Sequence, residues 1–265
     1  MVDWKDKIAV VTGASSGIGS ATARCLAGEG MQVVLVSRSL DRLEKLAAEI
    51  RQAGGKAYVI ATDLTHEAGR SQVFEEVADR FQHADVLVNN AGMGWYGYGN
   101  EMPWKTAWEI LQVNIEAVVQ LTLRFLGDMR ERDTGHIINI GSISGSFPSQ
   151  GVALYGATKS FLDNFTTALF RELTGTRVHI SVVRAGAVRT GFGKAALALD
   201  NGGHVPTENI GIPAETVAKR VWGLLRRPRR MIYVPTYLRV VPWVELSFGW
   251  VIDRLGPLLL KRNHV

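Results

Sequence analysis

The chain has 265 residues, of which 46% are hydrophobic and 21% charged, with 28 glycines, 8 prolines and one cysteine. That length and apolar content can fill one substantial core, which excludes disordered, collagen-like and disulfide-framework proteins. The net charge of +5 comes largely from Arg226, Arg227, Arg229, Arg230 and Arg239; the basicity is local, and no nucleic acid partner is expected.

Seven apolar, β-branched runs succeed one another, at 7–11, 32–36, 57–60, 86–88, 136–140, 178–183 and 231–234, with helix-period segments between them. Strands that read as continuous Val and Ile are covered on both faces. With right-handed crossovers, their alternation with helices predicts a single-domain α/β chain built on a doubly wound parallel sheet. The start, MVDWKDKIAV, passes from charges directly into the first strand, and Cys25 has no cysteine to pair with; a cytoplasmic setting is the expectation. Two stretches break the alternation. Residues 190–212 are rich in Gly and Asn around a short helical run at 194–199 and read as a flap, while 235–260 form an apolar extension rich in Trp, Leu and Val.

The first strand runs into Thr12-Gly13-Ala14-Ser15-Ser16-Gly17-Ile18-Gly19 and then a helix. Glycines let a backbone approach a pyrophosphate, and the free N–H groups at a helix N-terminus attract its charge; a tight strand-to-helix turn without a ligand would use similar residues. Further along stand Asn89-Asn90-Ala91-Gly92 after the fourth strand, Asn114 in the next helix, Ser142 after the fifth strand, and Tyr155-Gly156-Ala157-Thr158-Lys159 thirteen residues beyond Ser142.

Taken in order, these elements resemble the TGxxxGxG, NNAG and Ser-YxxxK pattern of the short-chain dehydrogenases/reductases. The resemblance covers most of the chain, the C-terminal third matching in general architecture only. It implies a Rossmann-like fold of about seven strands and carbonyl–alcohol redox chemistry with a nicotinamide cofactor. It further implies Tyr155 as acid/base, Lys159 lowering the Tyr155 pKa and holding the ribose, Ser142 on the substrate oxygen, and Asn114 placing a relay water. The cofactor would lie on Gly13, Ser15, Ser16, Gly17, Ile18, Gly19, Asn90, Ala91, Gly92, Tyr155, Lys159, Val188 and Thr190.

The second strand ends in Ser37-Arg38-Ser39. An acid there would accept the ribose 2′-hydroxyl, whereas a guanidinium can bind a 2′-phosphate, so NADP(H) is expected over NAD(H). Asp63, with Leu64 beside it, resembles the family's adenine-contacting acid and equally suits capping of the following helix. After the sixth strand the chain reads Arg184-Ala185-Gly186-Ala187-Val188-Arg189-Thr190, lacking the family's usual proline before the glycine, which relaxes the backbone there.

A cofactor-sensing binder without catalysis is the rival on the same fold; a broken Ser/Tyr/Lys set would mark it, and here the set is complete. Gly141-Ser142-Ile143-Ser144-Gly145 is not a nucleophile elbow, and six scattered histidines give no metal-ligand spacing. The wall of the site is expected from Met93, Trp95, Ile143, Phe147 and Phe192. It is apolar and aromatic, suiting a small neutral lipophilic ketone, aldehyde or alcohol. The resemblance implies a homodimer or homotetramer through the helices of Asn114 and Tyr155, with Phe161, Phe165 and Phe170 available either to that interface or to the core. The extension at 235–260 must be covered, by its own pocket, by a partner subunit, or by peripheral contact with a membrane in which the C-terminal basic residues meet anionic headgroups.

Overall fold

The structure, a computed structural model, describes residues 3–192 and 211–255, apart from the side chains of Ile252 and Leu255. In chain order the strands are β1 (Ile8–Thr12), β2 (Gln32–Ser37), β3 (Lys56–Ala61), β4 (Val86–Asn89), β5 (Gly135–Ser142), β6 (Val178–Ala185), β7 (Val188–Arg189), β8 (Ile212–Pro213) and β9 (Met231–Val234). The helices are α1 (Gly17–Gly28), α2 (Leu40–Gln52), α3 (Glu67–Phe81), α4 (Trp104–Leu111), α5 (Ala117–Glu131), α6 (Ala153–Glu172), α7 (Ala214–Arg226) and α8 (Val241–Leu255).

Seven strands form one parallel sheet in the order β3-β2-β1-β4-β5-β6-β9, the Rossmann-like arrangement the sequence predicts. Alternate residues of each strand serve opposite faces. Ala9 and Val11 join α1, α2 and α7 in one apolar layer; Ile8 and Val10 join α3, α5 and α6 in the other. Burial on both faces is why the strand sequences lack alternation. Strand order reverses between β1 and β4, so their C-terminal ends open a crevice, and every motif picked out above lies at that edge.

Two strands run two residues past their expected ends. β5 continues to Ser142 and β6 to Ala185, because the pairs Gly141↔Arg184 and Ser142↔Ala185 extend the ladder through residues whose side chains carry no strand signal. The rod from Trp104 to Glu131 joins α4 and α5 through a π-helical turn, Gln112–Glu116. Its composition would suit a membrane span, yet Leu121, Phe125 and Met129 are buried in the second layer. At the rim of the expected flap, β8 pairs with β7. Residues 193–210, including the expected helical run at 194–199, lie outside the described residues, as do 256–260 of the C-terminal extension. The described part of that extension is a 3₁₀ turn, Thr236–Val240, followed by α8.

Candidate active site

The loop between β1 and α1 is shaped by glycine. Gly13 and Gly17 take φ of +63° and +55°, a region that costs other residues energy. A Cβ on Gly19 would stand 2.3 Å from the Gly13 carbonyl oxygen, so no other residue fits without moving backbone. Asn90 braces the loop, its amide donating to the carbonyls of Thr12 (2.9 Å) and Gly13 (3.2 Å), while Thr12 Oγ1 accepts from the N–H groups of Asn90 and Ala91 (2.9 and 3.0 Å). Among the described residues no side chain caps α1, and no acid occupies its first turn, so its leading N–H groups and positive dipole end are available to an anion at the crevice. A Cβ on Gly17 would lie 2.9 Å from Thr190 Cγ2, which brings the segment after β7 onto this loop. The cradle fits a dinucleotide pyrophosphate.

At the neighbouring edge, Ser37 ends β2 and its hydroxyl accepts the Ser39 N–H at 3.2 Å. Arg38, two-thirds exposed, reaches Asp63 at 3.8 Å. Asp63 in turn accepts from the N–H and hydroxyl of Thr65, both at 2.9 Å, a turn that leads the chain into α3; the cap position itself belongs to His66. Leu64, expected beside the cofactor, has its side chain in the second core layer.

The catalytic candidates converge opposite the cradle. Tyr155 and Lys159 stand one turn apart on α6, with Lys159 Nζ 5.6 Å from the Tyr155 ring centre and donating to the Ile140 carbonyl at 3.0 Å. Ser142, at the end of β5, hydrogen-bonds the Tyr155 hydroxyl and accepts the Ser144 N–H at 3.1 Å. Asn114, in the π turn, binds the Met93 N–H (2.8 Å), the Met93 carbonyl (2.9 Å) and Thr158 Oγ1 (3.0 Å). Its side chain is thus committed to protein partners. A Cβ on Gly92 would fall 3.2 Å from Asn114 Oδ1 and 3.7 Å from Lys159 Nζ, so this glycine keeps the NNAG turn pressed against both.

The family model for short chain dehydrogenases matches residues 7–199, which hold the cradle and all four of these residues. The chain belongs to the short-chain dehydrogenase/reductase family. The NADP-dependent 3-hydroxy acid dehydrogenase YdfG of Escherichia coli K12 is 32% identical over 228 residues, spanning 83% of this chain and 90% of that protein. Among solved structures, the closed form of serine dehydrogenase with NADP+ has a TM-score of 0.78 at 29% identity, covering 85% of this chain and 93% of its own. A Burkholderia phymatum family member in complex with NAD aligns over 100% and 99% of the two chains with a TM-score of 0.83 at 24% identity, a likeness of fold. This short-chain dehydrogenase is accordingly an oxidoreductase, and its cradle is built for a nicotinamide cofactor.

In the dehydrogenase, burial pushes the Tyr155 hydroxyl above the ordinary phenol value, opposed by the hydrogen bond with Ser142. Lys159 is expected from the sequence to lower it; in the structure the burial of the hydroxyl itself outweighs the opposing hydrogen bond with Ser142. The Lys159 ammonium is pushed down to about 8 by burial, with the charge of Asp163 opposing the shift. That acid was not singled out from the sequence. It lies one turn beyond Lys159, and its Oδ2 accepts from Arg184 Nε and Nη2, each at 2.9 Å, while Arg184 also hydrogen-bonds the Tyr233 hydroxyl. The available signal was an acid and a base standing in otherwise apolar runs, Phe161-Leu162-Asp163 and Val182-Val183-Arg184.

Of the expected wall, Met93, Ile143 and Phe147 are partly exposed, and Phe192 lies with its ring 5.7 Å from that of Tyr155. Trp95 is instead buried. The position a Gly97 Cβ would take is 2.6 Å from its ring, so the chain folds directly over the indole and leaves it almost no surface for a ligand.

Proposed function

We propose that the protein is an NADP(H)-dependent dehydrogenase/reductase that interconverts a carbonyl and an alcohol on a neutral lipophilic substrate. The observation that carries the reading is the convergence of Ser142, Tyr155 and Lys159 beside a glycine cradle. The cofactor, held by Gly13 to Gly19, Ser37, Arg38, Asn90 to Gly92, Val188 and Thr190, would supply hydride. The chain supplies the rest. Ser142 and the Tyr155 hydroxyl orient the carbonyl oxygen, and Tyr155, held as a neutral phenol, delivers the proton during reduction. Lys159, charged below pH of about 8, balances the negative charge left on the tyrosine oxygen and is placed to engage the ribose. Asn114 fixes the turn that carries Met93, and a relay water for Lys159 would fall to its main chain, since its side chain is engaged.

NADP(H) is supported by the site at the end of β2. No acid stands there, and the Arg38–Asp63 contact, at 3.8 Å between exposed groups, is weak enough for a 2′-phosphate to displace. The substrate class is supported by the apolar side chains of Met93, Ile143, Phe147 and Phe192, and by the lack of Lys or Arg at 93–96 and 143–147, where a carboxylate clamp would be needed. The acids named for YdfG and serine dehydrogenase are therefore the informative competitors.

Steady-state NADPH and NADH oxidation over apolar ketones, aldehydes and 3-oxo acids tests both parts. Arg38→Ala is expected to raise KM for NADPH roughly 10- to 150-fold, the value of a charge-assisted bond, with little change for NADH. An unchanged NADPH/NADH ratio would remove Arg38 from the reading, and preferential turnover of the oxo acids would remove the neutral substrate. Assembly as a homodimer or homotetramer through α5 and α6 belongs to the same proposal. Phe165 and Phe170 pack against the second core layer, while Phe161 and Leu123 remain exposed for a partner. Light scattering at micromolar concentration is expected to give a dimer or tetramer mass; a monomer mass rejects it.

A further inference from the structure

The described part of the C-terminal extension is fastened at its start and exposes apolar side chains along α8. Its 3₁₀ turn is seated against the segment after β6: Gly186 N–H donates to the Val234 carbonyl at 2.9 Å, and a Cβ on Gly186 would stand 2.5 Å from Leu238 Cδ1. Beyond that turn, α8 carries large apolar side chains into solvent. Trp243 is 70% exposed, Leu246 78% and Trp250 62%, with Phe248 and Val244 also exposed and Tyr237 and Val240 exposed on the turn before them. Such an expanse of bare aromatic surface marks a binding face.

The distribution around the helix identifies what binds. At about 100° per residue, the outward apolar positions sweep about 200°, from Leu246 through Trp250 and Trp243 to Val244 and Phe248. A flat protein face covers a stripe nearer 100° wide, as on an ordinary amphipathic helix, and would leave half of these side chains wet. Immersion in a fluid apolar boundary covers all of them. Charge is sparse there: Arg239 is exposed before the helix and Arg254 at its end, Asp253 is exposed beside Arg254, and Glu245 turns inward with Oε2 buried. Trp and Tyr bodies with arginines at both ends match the headgroup–acyl boundary of a bilayer. The arginines at 226–230 approach from the far end of β9. Arg226 to Arg230 precede β9 and α8 follows it, so they enter from opposite ends of a strand roughly 13 Å long.

We propose that α8 is an interfacial membrane anchor, its Trp243, Leu246, Trp250, Val244 and Phe248 side chains entering the surface of a phospholipid bilayer. Burial of apolar surface drives the attachment, and the exposed charges Arg239, Asp253 and Arg254, net +1, add only a slight preference for anionic lipid. The Leu238–Gly186 seat places the anchor against the segment that leads to Val188 and Thr190, so docking holds the substrate crevice close to compounds dissolved in the bilayer.

The test is co-sedimentation of the full chain with phosphatidylcholine vesicles, with and without phosphatidylglycerol, at low and moderate salt. Binding to both compositions, stronger with phosphatidylglycerol and accompanied by a blue shift of tryptophan emission, is expected. Trp243→Ser/Leu246→Ser/Trp250→Ser should lower the partition coefficient roughly 100-fold, with circular dichroism and NADPH binding unchanged, since these side chains are exposed and none belongs to the cofactor cradle. A folded wild-type chain that stays in the supernatant, or a triple variant that sediments as well as wild type, overturns the proposal. So does a wild-type dimer, absent in the triple variant, that binds no vesicles: the face would then be an interface between copies. None of these readouts depends on the carbonyl–alcohol reading.

Discussion

Tyr155→Phe is expected to lower kcat by about 10²- to 10⁴-fold, the usual worth of a positioned proton donor, while leaving thermal stability and NADPH binding near wild type. The ring stays, so its contacts with Phe192 and Lys159 persist; only the hydroxyl hydrogen-bonded to Ser142 is lost. Burial holds that hydroxyl protonated at neutral pH, which suits it to give a proton to a carbonyl being reduced. The same desolvation makes the reverse step, abstraction of an alcohol proton, more dependent on the charge of Lys159. The measurement is single-turnover and steady-state NADPH oxidation with the best apolar carbonyl, beside a cofactor titration. Turnover within a few-fold of wild type, with cofactor bound normally, would show that another group moves the proton.

Arg184→Met should destabilise the fold by about 3–5 kcal/mol, because it strips the partner from a buried carboxylate, and lower Tm by roughly 10 °C. Asp163 and Arg184 have side-chain exposures of 6% and 13%, and Asp163 Oδ1 has no partner among the described residues, so little water is available to compensate. Burial already pushes the Asp163 carboxyl up, opposed chiefly by the hydrogen bonds and charge of Arg184. Without Arg184 it rises further. A carboxyl whose folded pKa exceeds its unfolded value contributes stability that is fully present below the unfolded pKa and is lost as pH rises through the folded one. The deficit of the variant is therefore expected to widen as pH rises above the ordinary carboxylate range. Thermal melts at rising pH check it, and a small, pH-independent deficit would mean the pair is dispensable. Asp163→Asn reports the link to the site: with the opposing charge gone, the Lys159 ammonium falls below about 8, and the limb it contributes to kcat/KM moves to lower pH.

How much of this was legible in the sequence follows from distance along the chain. The Gly13–Gly19 cradle could be read because its requirements are local: a backbone with positive φ at Gly13 and Gly17, and no room for a side chain at Gly19. Tyr155 and Lys159 could be paired because four residues is one helical turn. The sheet could be read because strands buried on both faces have to be apolar throughout. Each signal is carried by steric or hydrogen-bonding demands within a few residues.

What only the tertiary structure decided concerns partners separated in sequence. Asp163 and Arg184 meet because α6 crosses β6, and no spacing rule joins positions 21 residues apart. The sequence places Trp95 in the pocket wall and Leu64 beside the cofactor, but packing buries both side chains. Lys159 and Tyr155 were paired correctly, yet the direction in which the tyrosine shifts depends on how much water the surrounding elements exclude. The extension was legible as too apolar for a solvated tail. That α8 stands with its tryptophans exposed, and that β9 separates its start from the arginines at 226–230, was decided by where the last strand joins the sheet. Composition gives the amount of apolar surface a segment carries; which neighbours cover it depends on contacts between elements distant in sequence, whose free energies exist only once the whole sheet is assembled.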